Sequence, residues 1–121
     1  MEFLVLSGND LAGSLPPRLF QSQYLSLLSL SMNDFSGQFP DNIDEAPRSR
    51  ILELSDNNFS GSTPQSIHNL LHLEELNIST NGFSSHKLPN LNQDSPLVYL
   101  NLSSNRLPGE IPLNFSVRKQ V

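Results

Sequence analysis

The sequence predicts an α/β repeat solenoid, and three observations predict it. Asn recurs every 24 residues, at Asn9, Asn33, Asn57, Asn81 and Asn105. Apolar pairs stand five and three residues before each of these, at Leu4/Leu6, Leu28/Leu30, Leu52/Leu54, Leu76/Ile78 and Leu100/Leu102. A single apolar residue stands two places after, at Leu11, Phe35, Phe59, Phe83 and Leu107. A fixed period of this length marks stacked units, each too small to bury its apolar face alone. The expected organisation is one array of five units, about 1–24, 25–48, 49–72, 73–96 and 97–121, without recognisable caps.

Each place in the unit has a physical reason. The apolar pair alternates as a strand does, so Leu100 and Leu102 point into the coil while Tyr99, Asn101 and Ser103 point out. The Asn falls where the chain turns away from the strand, and turning frees backbone groups that water cannot reach. An amide both donates and accepts, so Asn9, Asn33, Asn57, Asn81 and Asn105 are expected to stack as a structural ladder, bonded within each coil and to its neighbour. Gly13, Gly37, Gly61 and Gly109 follow four residues after the Asn, where positive φ or a close backbone approach is expected. Pro16, Pro40, Pro64 and Pro112 then open the return segment without sacrificing a needed N–H. Leu19, Ile43, Ile67 and Phe115, three residues later, are expected to turn inward and close the core. The fourth unit departs from this pattern: Ser85 replaces the Gly and Pro89 arrives one residue late, so that coil is expected to be distorted.

Composition narrows the functional classes. With 121 residues the chain holds one domain at most, and 36% apolar content with nine Pro argues against a thick, many-layered core. A net charge of -5 and a pI near 4.9 leave no basic stripe, so neither nucleic acid nor an anionic membrane is expected as partner. Without Cys there is no disulfide framework, thiolate metal site or cysteine nucleophile. No run approaches the roughly 20 apolar residues of a transmembrane segment. The opening "MEFLVLSGND" also lacks the pattern of a signal peptide.

In the form LxxLxLSxNxLxGxIP, seen for example in "LNLSSNRLPGEIP" at residues 100–112, the unit resembles the leucine-rich repeat. It is similar to the plant class found in the extracellular parts of receptor-like kinases, receptor-like proteins and polygalacturonase inhibitors. The resemblance covers the full length. It implies a right-handed leucine-rich-repeat coil with short parallel strands on a concave face and mostly irregular or 3-10 segments on the convex side. It also implies a non-enzymatic module that binds a peptide or protein ligand, or a co-receptor, in signalling or defence. The parent protein would sit at the cell membrane or outside the cell, with this chain as an internal or truncated piece. An inhibitor of a secreted glycosidase and a cytosolic or non-functional fragment stay open as alternatives.

No catalytic, cofactor or metal site is expected. Glu53 and Glu75 face the same side of neighbouring strands, roughly 7 to 8 Å apart by sheet geometry, a spacing that suits an inverting glycosidase. An open ledge offers no pocket to raise one carboxyl pKa, so two solvated carboxylates are the expectation. His68 and His72 stand four apart without the Glu of HExxH or a third ligand, and His86 has no evident partner. The Gly residues form no phosphate-binding motif, so no cofactor is expected. Four N-x-S/T sequons mark Asn58, Asn77, Asn101 and Asn114 as candidate N-glycosylation sites.

The outward strand columns carry the binding expectation. Phe3, Leu27 and Ile51 form an apolar series that gives way to Glu53, Asp56, Glu74 and Glu75, with Tyr99 beyond. Phe3, Leu27, Ile51, Glu53, Glu75 and Tyr99 are thus the candidate ligand contacts, with an apolar partner group on Leu27 and Ile51 and a basic one near Glu53 and Glu75. Five strands at about 4.8 Å spacing and about 17 Å length offer about 300 Å², against about 800 Å² per partner in a standard interface. Leu4, Leu6 and Leu11 at one end, and Leu100, Leu102 and Leu107 at the other, are expected to be bare and to favour self-association.

Overall fold

The computed structural model describes residues 2–84 and 96–106 and the backbone of 119–120. The expectations that fall on Ser85, His86, Pro89, Leu107, Gly109, Pro112, Asn114 and Phe115, including the distortion of the fourth unit, lie outside the described residues.

The chain coils into a solenoid with two parallel sheets. The first contains β1 (Glu2–Val5), β3 (Leu25–Ser29), β5 (Ile51–Glu53), β7 (Glu75–Asn77), β9 (Tyr99–Asn101) and β10 (Lys119–Gln120), in that order, and forms the concave face. Its register advances by the repeat itself, pairing Leu27 with Ile51, Ile51 with Glu75 and Glu75 with Tyr99. The second sheet contains β2 (Ala12–Ser14), β4 (Asp34–Gln38), β6 (Asn58–Gly61) and β8 (Gly82–Phe83). Among the described residues three 3-10 helices, Pro17–Phe20, Ile43–Glu45 and Gln65–Asn69, carry the chain across the convex side. Among the described residues no helix is long and apolar enough to cross a membrane.

Alternation along the first sheet produces the core. Leu28, Leu52, Leu76 and Leu100 form one buried file, and Leu30, Leu54, Ile78 and Leu102 a second. Leu100 is only 1% exposed and Leu102 is buried as well, and the backbone of β10 pairs with β9 through Lys119 and Leu100. The expectation that these two leucines would be bare is thereby corrected, and the concave sheet has six strands where five were expected. At the other end Leu4 and Leu6 are half-buried and Leu11 is exposed.

Phenylalanine fills the centre. Phe35, Phe59 and Phe83 stack coil on coil, with ring centroids 6.2 and 6.0 Å apart. Phe39 meets Phe59 edge-on at 5.3 Å and tilts against Phe20 at 5.5 Å, arrangements that suit the ring quadrupoles. On the convex side Ile43 and Ile67 are buried, while in the first coil Phe20 takes the inward place and Leu19 is only half-buried. The first helix opens at Pro17, the same place in the repeat as Gln65 in the third coil, yet its inward residue is one position further along.

The repeated Asn makes the sharp turn after each concave strand. Asn57 Nδ2 donates to the carbonyls of Leu54 and Ser55 in its own coil, at 3.3 and 3.2 Å, and to Leu30 of the coil before, at 2.8 Å. Its Oδ1 accepts the backbone N–H of Phe35 at 3.1 Å. Asn33, Asn81 and Asn105 repeat the same set of bonds, one coil apart. The residue just before Asn33, Asn57, Asn81 and Asn105, namely Met32, Asp56, Thr80 or Ser104, adopts a left-handed conformation with φ between 52 and 57°, whereas in the first coil Gly8 and Asp10, on either side of Asn9, do so at 72 and 55°. The second sheet follows from the same bonds. With Phe35 N–H held by Asn57 Oδ1, the neighbouring backbone is extended and pairs Ser36 with Asn58. That step is 22 residues, two fewer than in the concave sheet. Gly61 ends β6 and Gly37 stands one residue before the end of β4, at φ of 75 and 79°, a conformation that favours glycine.

Candidate functional site

The concave sheet sets three outward columns side by side. In the first, the register brings Phe3, Leu27, Ile51, Glu75 and Tyr99 into one row across five strands. Phe3 is 60% exposed, Leu27, Ile51 and Tyr99 are half-exposed, and Glu75 is exposed. This row is an open apolar strip interrupted by a single carboxylate.

The second and third columns are knitted together. Glu53 Oε1 accepts from Ser55, at 2.6 Å from Oγ and 3.3 Å from the backbone N–H, while Oε2 accepts from Asn77 Nδ2 at 3.1 Å. Asn77 Oδ1 in turn takes Ser79 Oγ at 2.7 Å and its N–H at 3.1 Å, and Asn101 does the same with Ser103. The Ser column therefore pins the side chain two residues before it in three successive coils. Chains of such bonds fix side-chain direction and leave few free donors or acceptors.

The acidic patch read from the sequence thus divides by partner. Glu53 is held by the Ser and Asn columns. Glu74 pairs with Arg50 at 2.8 Å, each side chain 39% exposed. The hydrogen bond from Arg50 Nε holds Glu74 below the usual carboxylate range, against a smaller opposing effect of burial, and the charge of Arg50 adds to it. The same bond and the charge of Glu74, with a smaller one from Glu75, raise the Arg50 guanidinium. Asp56 lies exposed in the left-handed turn. Glu75 makes no side-chain hydrogen bond among the described residues, which leaves its carboxylate facing solvent between Ile51 and Tyr99.

The other candidates separate as well. Asn58 is exposed at the start of β6. Asn77 is half-buried and committed to Glu53, and Asn101 is buried with its amide near Tyr99 Oη at 3.4 Å. His68 lies in the last 3-10 helix, whereas His72 follows its end at Asn69 and turns toward the strands, so the two do not share a helical face. Sequence reading missed a groove of about 500 Å³ there, lined by Tyr24, Ser26, Arg48, Arg50, His72 and Glu74. Its signal was present in the 24-residue spacing: Tyr24, Arg48 and His72 occupy the same place in three successive units.

The leucine-rich-repeat family model matches residues 49–70 and 96–117. No curated protein sequence shows significant similarity to the chain. Among solved structures, a chain of the BIR3–SERK2 complex from Arabidopsis thaliana is similar at 31% identity and TM-score 0.80, over 97% of this chain and 66% of that one. The ectodomain of the receptor kinase SOBIR1 from Arabidopsis thaliana is similar at 36% identity and TM-score 0.80, over 93% and 61%. The PEPR1–AtPEP1 complex matches at 30% identity and TM-score 0.87, over 95% of this chain and 17% of that one. This chain therefore spans under two-thirds of the length of most of these relatives and a small part of others. Strand order, register, asparagine turns and these likenesses agree: the chain is a leucine-rich-repeat array of the form found in the ectodomains of plant receptor kinases.

Proposed function

We propose that the chain is a non-enzymatic recognition module that holds an extended peptide or a protein segment across its concave strands, as part of a receptor-like protein displayed outside the cell. The observation that carries this reading is the row Phe3, Leu27, Ile51, Glu75 and Tyr99, in which open apolar groups flank one uncommitted carboxylate. Apolar anchors beside a charge make a footprint that is selective in both position and sign. The partner places an apolar side chain on Leu27 and Ile51 and a Lys or Arg against Glu75. The cation's alkyl stem lies over Ile51, and its head meets the Tyr99 ring or the carboxylate. Glu53 belongs to the support of this surface, since both of its oxygens are already taken. The structural likeness to a receptor crystallised as PEPR1–AtPEP1 and to the SOBIR1 ectodomain supports the receptor-like setting.

The test is selection of a displayed random-peptide library on the immobilised chain. The selected peptides are expected to pair an apolar residue with a Lys or Arg. Leu27→Ser with Ile51→Ser, and separately Glu75→Lys, should each weaken them about tenfold or more, with circular dichroism unchanged. Binders that ignore both variants would remove the proposal.

A further inference from the structure

Of the four N-x-S/T sequons, the fold treats the three described ones in opposite ways. Side chains alternate along β6, so Phe59 enters the aromatic file at 0% exposure while Asn58 and Ser60 both face outward and are exposed. The acceptor amide and the hydroxyl two residues on, which together define the sequon, therefore stand side by side on an open surface. The Asn58 side chain makes no hydrogen bond among the described residues, because its neighbour Asn57 closes the turn. The equivalent places one unit before and after are Asp34, which is exposed, and Gly82, which bears no side chain.

Asn77 and Asn101 are spent on the frame. Asn77 Nδ2 donates to Glu53 Oε2 at 3.1 Å, and its Oδ1 accepts both the N–H and the Oγ of Ser79. Asn101 is 9% exposed, its Oδ1 holds Ser103 in the same way, and its Nδ2 lies 3.4 Å from Tyr99 Oη. In both sequons the hydroxyl is itself bonded to the acceptor amide. A hydrated sugar on either nitrogen would draw the amide out of its column and strand the serine donors, which costs stability.

We infer that Asn58 is an N-glycosylation site and that the folded chain carries no glycan at Asn77 or Asn101. The amide nitrogen of Asn58 attacks the anomeric carbon of an oligosaccharide carried on a lipid diphosphate. A C–N bond forms, the C–O bond to the diphosphate breaks, the lipid diphosphate leaves with the bonding electrons, and one amide proton is released. The glycan projects from the second sheet, beyond the turn at Asn57, and leaves the row from Phe3 to Tyr99 open on the first. The inference rests on the extracellular setting proposed above, because such sugar donors are met in the secretory pathway.

In the experiment the full chain is expressed in plant cells behind an added signal peptide, and its folded fraction is purified. Trypsin with a Glu-specific protease places Asn58, Asn77 and Asn101 in separate peptides. Enzymatic release of the glycans in oxygen-18 water then marks each occupied Asn as labelled Asp in the mass spectrum. Label at Asn58, and at neither Asn77 nor Asn101, is expected. Asn58→Gln and, independently, Ser60→Ala should each remove one glycan from the intact mass, with circular dichroism unchanged. Ser60→Ala keeps the amide and takes only the hydroxyl, so loss of the label there ties it to the sequon. An unlabelled Asn58 would overturn the site. Label at Asn77 or Asn101 in protein with wild-type circular dichroism would overturn the exclusion of glycans from the frame. An occupied Asn58 in a chain that selects no peptides would uphold the site and remove the recognition reading instead.

Discussion

Asn9 and Asn57 occupy the same place in the repeat, yet they do different work. Asn57 joins two coils: it donates back to Leu30 and accepts from Phe35 while closing its own turn. Asn9 is exposed, and its Nδ2 serves only Leu6 and Ser7 of its own coil. The same holds for their apolar neighbours, since Leu52 and Leu54 are buried while Leu4 and Leu6 are half-covered. A repeat position thus has no intrinsic energy; its weight is set by the coils on either side. Such arrays gain stability from the interfaces between units as well as from the units themselves.

The largest contrast is in the aromatic file. Phe59 touches aromatic neighbours on three sides, Phe35, Phe39 and Phe83, whereas Leu11, its counterpart in the first coil, is 37% exposed. Phe59→Ala should cost about 3–5 kcal/mol, and Leu11→Ala under about 1 kcal/mol, both read from urea unfolding. Similar costs would break the comparison.

The amides come next. Asn57→Ala strands the carbonyls of Leu30, Leu54 and Ser55 and the N–H of Phe35, and should cost about 2–4 kcal/mol, less than the sum of separate losses because water reaches some of these groups. Asn9→Ala should cost under about 1 kcal/mol. Thermal or urea midpoints that fall equally for both would sink the account of the ladder as an inter-coil device.

A third test sharpens the turn itself. Thr80 adopts φ of 52° where Asp56 stands in the coil before. A β-branched residue is poorly suited to that region, and Asn tolerates it well. Thr80→Asn should stabilise the chain by about 0.5–1 kcal/mol, whereas Asp56→Asn should leave its stability nearly unchanged; destabilisation by Thr80→Asn would show that the Thr side chain matters more than its backbone strain.

The smallest effect concerns charge. Glu74 is paired with Arg50, while Glu2, its counterpart in the first coil, is exposed and has no salt-bridge partner among the described residues. Because the folded state lowers the pKa of Glu74, the pair's contribution is fully present above the ordinary carboxylate range and fades as pH falls through the lower folded value. The stability gap between the wild type and Glu74→Gln should therefore be present at neutral pH and close in acid, and it should shrink in salt. Glu2→Gln should leave the stability at neutral pH nearly unchanged.

The concave register was legible because Asn, the Leu pairs and the following apolar residue all recur at one interval, and Leu27 meets Ile51 as that interval requires. The second sheet was not. Its strands are short and polar, as in Ala12–Ser14, and they pair with an offset of 22 residues that the sequence period does not display. The left-handed residue before each Asn was equally hidden, since Met32 and Thr80 carry no sign of it. The outward row was visible as a composition of side chains, but the commitment of Glu53 to Asn77 and of Glu74 to Arg50 depended on contacts between coils. Arg50 and Glu74, like Glu53 and Asn77, are 24 residues apart, so comparing residues one period apart exposes both pairs.

The backward reach of each amide has a consequence for how such a chain can lengthen. Copying a block of one whole unit restores every donor and acceptor on both sides of the join, whereas a copy one residue longer or shorter leaves a carbonyl facing empty space. Gene duplication in whole units is thus tolerated where other insertions are not, and a recognition surface can be widened strand by strand without redesigning the frame beneath it.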